Sequence, residues 1–283
     1  VISNPLIKRS DAPAPVRVLM RDGIWLVSLT PVEPHVSINT IIFSKDRATQ
    51  LDALLRSLIR FAPQLLPATV LFLATEDRYR EAYRILIAEH PSKVFFLQQG
   101  SSFRDDLLSL ILPDTALTTM LVDDDVFYRS APLVPKLQSG QCFSFRLGQN
   151  IQRDYVTRKE QVPGSENFRY SYSLDGHVFR TDDLLPLVRC LEFDCPNRLE
   201  AYMQRSGQPL EIFYDQHSSL VGIPHNLVQT AWPQVSMGGS AEELNDRFLV
   251  GERIDLDMMD FSDVRATHQD ILYSFRRKVE EVV

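Results

Sequence analysis

The chain has 283 residues, 44% of them hydrophobic and 24% charged, which is enough apolar material for one large globular core. Its net charge of −7 and pI near 5.4 argue against a broad nucleic-acid-binding surface, so an anionic ligand has to be met locally, by a metal or a few arginines. Three cysteines, Cys142, Cys190 and Cys195, without a CxxC pair speak against a disulfide framework or a cysteine zinc site.

No run approaches the roughly 18 to 20 apolar residues of a membrane helix, and no signal pattern opens the chain. The protein is therefore expected to be cytoplasmic, at most peripheral to the inner membrane. Residues 1–35 carry Pro5, Pro13, Pro15, Pro31 and Pro34 and read as an extended lead-in with a short strand at Ile24–Leu29. From Val36 a regular alternation begins. Val36–Ser44 is a buried strand, and Leu51, Leu54, Leu55, Leu58 and Ile59 mark one face of the helix after it. Thr69–Ala74 is a second strand, and Tyr79, Ala82, Tyr83, Leu86 and Ile87 repeat the helical spacing.

Val94–Leu97 is a third strand, Ser102 with Asp105 opens a helix running to Leu112, and Leu117–Val122 is a fourth strand. In the second half, Gln141–Leu147 and Ser173–Arg180 read as strands. Helices open at Thr181, at Asn197 and at Ser240. The alternation predicts an α/β fold with a mostly parallel central sheet covered on both faces, and ligands at the carboxyl ends of its strands. One domain is expected to follow the lead-in, with residues 36–140 as one functional half and 141–283 as the other.

The fourth strand ends in Asp123-Asp124-Asp125. Three adjacent carboxylates repel one another, and a divalent ion relieves that. Oxygen-only ligands suit Mg²⁺ or Mn²⁺, which bind through one or two carboxylates plus substrate phosphates; a solvated acidic turn is the plain alternative. The turn Ser44-Lys45-Asp46-Arg47 contains no glycine, so the GxGxxG dinucleotide fingerprint fails, and no P-loop is present. Lys45 and Arg47 instead stand beside a helix N-terminus, suited to phosphate or a nucleobase edge, or simply flank a helix capped by Asp46.

Strand, glycine-free turn, helix, strand, helix, strand, Phe103-Arg104-Asp105-Asp106 and then Leu121-Val122-Asp123-Asp124-Asp125 resembles the nucleotide-sugar half of a GT-A glycosyltransferase with its DxD motif. Ser144–Asn150 and Ser173–Arg180 extend the resemblance to a group of bacterial GT-A-like proteins. It implies a GT-A-like, Rossmann-related sheet and Mn²⁺ or Mg²⁺ bound by Asp125 with Asp123. Asp123 would also face the nucleotide, assisted by Asp124, with Ser44, Lys45, Arg47 and Arg104 nearby.

It further implies a carboxylate acting as general base on the acceptor hydroxyl. Glu200 is the first candidate, although Asn197-x-x-Glu200 is also a capping box, and Asp175 is the second. A histidine completing the metal shell would be His225, or else His268. Trp232, Tyr170 and Tyr172 are candidates for stacking on an acceptor sugar. The implied partners are a UDP- or GDP-linked sugar and a carbohydrate or lipid-linked acceptor, with no nucleic acid. The alternatives are a sugar nucleotidyltransferase, whose glycine-rich loop is missing, and a non-catalytic nucleotide- or sugar-binding module.

Overall fold

The computed structural model of the chain describes residues 17–21, 24–28, 37–90, 92–153, 167–226, 228 and 239–278. Val1–Ser37 and Ile38–Val283 form separate units. In the first, β1 (Arg17–Arg21) and β2 (Ile24–Ser28) pair antiparallel as a hairpin, one strand more than the proline-rich sequence leads one to expect.

The second unit begins with β3 (Ile38–Lys45), α1 (Ala48–Phe61), β4 (Ala68–Leu73), α2 (Asp77–Glu89), β5 (Val94–Gln98), α3 (Phe103–Leu110) and β6 (Leu117–Val122). It continues with β7 (Asp125–Phe127), β8 (Gln141–Ser144), β9 (His177–Arg180), α4 (Thr181–Arg189), α5 (Pro196–Ser206), β10 (Glu211–Tyr214) and β11 (Leu220–Gly222). It closes with α6 (Ala241–Leu249), β12 (Glu252–Ile254) and β13 (Phe275–Arg277).

Seven strands form one sheet in the order β10-β8-β9-β6-β3-β4-β5. Only β9 runs against its neighbours. The strands in the middle are apolar on both faces because both are covered. In β3, Ile42 faces α1, where Leu51, Leu54, Leu55 and Leu58 are wholly buried. Its neighbours Ile41 and Phe43 point the other way, onto Phe103 of α3, Leu184 of α4 and Leu199 of α5. Side chains alternate across a strand, so two burial faces produce the unbroken apolar run read in the sequence.

The register pairs Phe43 with Val122, so the turn leaving β3 and the acidic triplet leaving β6 emerge side by side at the carboxyl edge. The strand expected over Ser173–Arg180 is shorter, His177–Arg180. Gly176 interrupts it with a φ of +77°, a left-handed conformation that glycine adopts at little cost, and a Cβ there would lie 2.3 Å from Leu220 Cδ2. Asp175 consequently sits in the turn before β9 rather than on the strand.

Candidate active site

The glycine-free turn after β3 is made by Asp46, whose φ of +55° places it in the left-handed region. Asp tolerates that region better than most residues when its side chain bonds locally. Here the two carboxylate oxygens accept from Thr75 N at 2.7 Å and Thr75 Oγ1 at 2.8 Å. Asp46 is therefore not the cap of α1; Arg47 takes that position, with no side-chain cap bond. The turn swings Arg47 back over the triplet.

Arg47 is buried, and its Nη1 donates to Asp123 Oδ1 at 3.0 Å and to Asp124 Oδ2 at 3.1 Å. Its Nε donates to Asn226 Oδ1 at 2.7 Å, and Nη2 donates to the Asn226 carbonyl. Burial alone would lower its pKa; the adjoining Asp123 and Asp124 charges outweigh that and hold it above its ordinary value. Asp123 accepts on its other oxygen from Ser44 Oγ at 2.9 Å and Lys45 N at 3.1 Å. Burial pushes the Asp123 carboxyl up to about 6 despite Arg47, with Asp124 adding to the rise. Lys45 Nζ donates to the Val228 carbonyl at 3.2 Å, so Lys45 reaches the triplet through its backbone.

Asp125 is set apart. It is wholly buried; Oδ2 accepts from Val122 N at 3.0 Å, while Oδ1 has no hydrogen-bond partner among the described residues. Burial, then the charges of Asp175 and Asp124, push its carboxyl well above the ordinary range. Its strand β7 pairs with β11 so that Asp125 lies opposite Gly222, and Gly222 in turn bridges to His268. Residues paired across a sheet put their side chains on the same face. Gly222 has none, and the His268 ring fills the gap: a Cβ there would lie 2.5 Å from His268 Cδ2. His268 Nε2 stands 3.2 Å from Asp175 Oδ2, so the histidine and Asp175 meet on the face that Asp125 shares.

Asp175 also pairs with Arg146, whose Nη1 donates to Ser173 Oγ at 2.6 Å. Burial alone would raise the Asp175 carboxyl; Arg146 and His268 overcome it and hold the group below the usual carboxylate range. Glu200 lies close by, with its carboxyl group enclosed by protein although the residue is only half-buried. Leu174, Ser173 and Tyr170 are the polar neighbours that act on it. Burial and then the Asp175 charge raise it to about 8. Two carboxyl groups are thus driven apart, one kept ionised and the other protonated at neutral pH, which is the arrangement acid–base chemistry uses.

The expected capping box at Asn197 is not formed. Helix α5 starts at Pro196, with Cys195 as its cap and no side-chain cap bond, because proline fits the first helical turn and draws the start forward. Glu200 is left to reach Ser173. Arg104 is engaged elsewhere: its guanidinium donates to the carbonyls of Leu191 and Arg189, both at 2.8 Å, joining α3 to the end of α4. His225 packs tilted against Tyr273 with ring centroids 4.5 Å apart and lies against Gly239, whereas the histidine beside Asp175 is His268.

Tyr172 is a core residue, stacked on Phe179 and donating to the Gln208 carbonyl at 2.8 Å. Trp232 lies outside the described residues. Sequence reasoning missed Asn226, Arg146 and the hydroxyl of Tyr83, which bonds to Ser44 Oγ at 2.6 Å. Only Arg146 carried a signal, as a charged residue inside an apolar run.

Among the described residues, no three His, Cys, Asp or Glu side chains are arranged to hold a metal ion by themselves. Mg²⁺ and Mn²⁺ do not require that, since one or two carboxylates plus phosphate oxygens and water complete their shells. The buried, unpartnered oxygen of Asp125 fits such an ion, and a cation there offsets the cost of ionising that carboxyl group.

No family model matches the chain, and no curated protein matches its sequence. Solved structures superpose on part of the chain. A cytidylyltransferase from Leptospira borgpetersenii serovar Hardjo-bovis superposes with a TM-score of 0.39 at 13% identity, covering 64% of this chain and 76% of that one. The 4-diphosphocytidyl-2C-methyl-D-erythritol synthase of Anaerococcus prevotii gives 0.37 at 7%, covering 64% and 90%. The galactosyltransferase LgtC, in complex with donor and acceptor sugar analogs, gives 0.38 at 14%, covering 62% and 72%. Likeness at this level fixes neither family nor activity.

Proposed function

We propose that the protein is a metal-dependent glycosyltransferase that moves a sugar from a UDP- or GDP-linked donor to a carbohydrate or lipid-linked acceptor. The observation that carries this reading is the division of the acidic triplet. Arg47 pairs with both Asp123 and Asp124, while Asp125 keeps a buried oxygen without a partner among the described residues on the face it shares with Asp175 and His268. An ordinary acidic turn would face solvent; Asp125 does not.

Asp125 would hold Mn²⁺ or Mg²⁺, with His268 the better-placed histidine beside it. When bound, the ion supplies charge stabilisation to the departing diphosphate. Asp123, fixed by Ser44, Lys45 and Arg47, presents its carboxylate to the nucleotide. Glu200, with a pKa of about 8, accepts the proton of the acceptor hydroxyl in its ionised form, the minor form at neutral pH, so turnover rises with pH through that value, and Asp175 stays ionised beside it. If Glu200 serves as base from the side opposite the diphosphate, the configuration at the sugar inverts; without a base there it is retained.

The test is donor turnover: UDP- and GDP-sugars incubated with Mn²⁺, reading nucleoside diphosphate release for the wild type and for Asp125→Asn. Release that requires both Mn²⁺ and Asp125 supports the reading. Nucleotide binding without release on long incubation would favour the non-catalytic module, and release of pyrophosphate from a nucleoside triphosphate with a sugar phosphate would favour a nucleotidyltransferase.

A further inference from the structure

We infer that Tyr83 is a positioning residue for the nucleotide, acting through Ser44 to set the orientation of the Asp123 carboxylate; this rests on the reading of Asp123 as nucleotide-facing. Tyr83 belongs to the apolar face of α2, and its ring stacks on Phe72 with centroids 4.5 Å apart. That packing explains an aromatic ring and leaves the hydroxyl unexplained. The residue is 1% exposed, and a hydroxyl buried to that degree is costly unless it is bonded.

Its partners lead to the site. Tyr83 Oη lies 2.6 Å from Ser44 Oγ, and Ser44 Oγ lies 2.9 Å from Asp123 Oδ2. Proton counting fixes the direction of the chain. An ionised carboxylate only accepts, so the single Ser44 hydrogen goes to Asp123, and the hydrogen between Tyr83 and Ser44 comes from Tyr83. The Tyr83 oxygen in turn accepts from Arg47 N at 3.4 Å. The start of α1 is thereby tied through two hydroxyls to the carboxylate that Arg47 holds from the other side. Bonds chained in one direction strengthen one another in a dry interior.

A carboxylate has about four acceptor positions. Ser44 and Lys45 use two on Oδ2 and Arg47 uses one on Oδ1, so a single position on Oδ1 is left to face a ligand. Without the Tyr83 hydrogen, Ser44 Oγ lacks its donor, its own hydrogen is free to turn away, and the carboxylate plane loses one of its restraints.

The experiment compares wild type with Tyr83→Phe, Ser44→Ala, the double variant and Ser44→Thr. Calorimetric titration with UDP and with GDP in Mn²⁺ is read alongside the melting temperature without ligand. Tyr83→Phe and Ser44→Ala are each expected to weaken nucleotide binding about tenfold, the size of one hydrogen bond to a charged group. The double variant should lose no more than the worse single, because the two groups act in series, and Ser44→Thr should restore binding.

A purely structural role for the Tyr83 hydroxyl would lower the melting temperature and leave the dissociation constant unchanged, and that result overturns the inference. So do independent, multiplying losses in the double variant. If Tyr83→Phe does not fold, Ser44→Ala and Ser44→Thr decide alone. Wild-type protein that binds neither nucleotide overturns the glycosyltransferase reading, whereas binding that all variants share overturns only the relay.

Discussion

Replacing Arg47 by methionine keeps an unbranched apolar stem and removes the guanidinium with its charge. The guanidinium has 9% side-chain exposure and serves carboxylates of 6% and 16%, so solvent cannot take its place. Removing one partner of a buried pair typically costs about 3–5 kcal/mol, because the remaining charge is left uncompensated. For a chain of this size that lowers the melting temperature by about 6–20 °C, at roughly 2–4 °C per kcal/mol.

The loss depends on pH in a defined sense. The folded Asp123 carboxyl already titrates near 6, above its ordinary value, and without Arg47 it moves higher. At pH 5 the folded variant holds a proton and escapes part of the penalty, whereas at pH 7.5 it bears more of it. Differential scanning calorimetry at both values, with Arg47→Met, Asp123→Asn and the double variant, completes a cycle. Contacting residues should show an interaction energy of about 0.5–3 kcal/mol. An Arg47→Met protein with the wild-type melting temperature, or single losses that simply add, would refute the assignment of Arg47 as the counter-charge of the triplet.

Three further variants address the rest of the site. Glu200 has a folded pKa near 8 against an ordinary 4.5, so its ionisation destabilises the fold progressively as pH rises through that window. Glu200→Gln should therefore be more stable than wild type at pH 9, by on the order of 2–4 kcal/mol after allowance for partial exposure, so that it melts higher there, and match it near pH 4.5; equal slopes of melting temperature against pH would contradict this.

Gly222→Ala brings a Cβ within 2.5 Å of His268, displacing the ring from Asp175 at a cost of about 1–3 kcal/mol. Isothermal titration should show weaker Mn²⁺-nucleotide binding, and unaltered affinity would mean that His268 does not contribute. Arg104→Met, which loses the bonds to Arg189 and Leu191 and the looser ion pairs with Asp105 and Glu192, should lower the melting temperature modestly and leave nucleotide affinity at the wild-type value.

The elements from β3 to β6 were legible because each announces itself over enough residues. Strands apolar on both faces appear as unbroken runs, and α1 and α2 each carry several turns of one-sided burial. Strands β7, β11, β12 and β13 have three residues each, and β10 has four, too few for any period to register. Yet β7 and β11 are what align Asp125 with Gly222 and His268, so a decisive part of the site's geometry lay in the least readable segments.

Ser44, Arg47 and the triplet were legible from strand ends alone, because parallel strands deliver their carboxyl ends to one edge. Arg104 shared that edge, and only tertiary contacts reveal that its guanidinium serves α4. The choice between His225 and His268 depends on a bridge spanning 46 positions between Gly222 and His268, which no local pattern encodes. Tyr83 read as a packing residue because ring and hydroxyl answer to different neighbours, Phe72 and Ser44.

The most direct test of the metal–nucleotide site is thermal stabilisation by UDP, GDP, CDP and dTDP, each with and without Mn²⁺, on wild type and Asp125→Asn. Asparagine keeps the shape of the buried side chain and removes a charge that burial, Asp175 and Asp124 all disfavour, so the variant should melt higher than wild type without ligand. The account predicts that one nucleoside diphosphate stabilises wild type only with Mn²⁺ and does not stabilise Asp125→Asn. Equal stabilisation of both proteins, or none of wild type by any of the four, would contradict it.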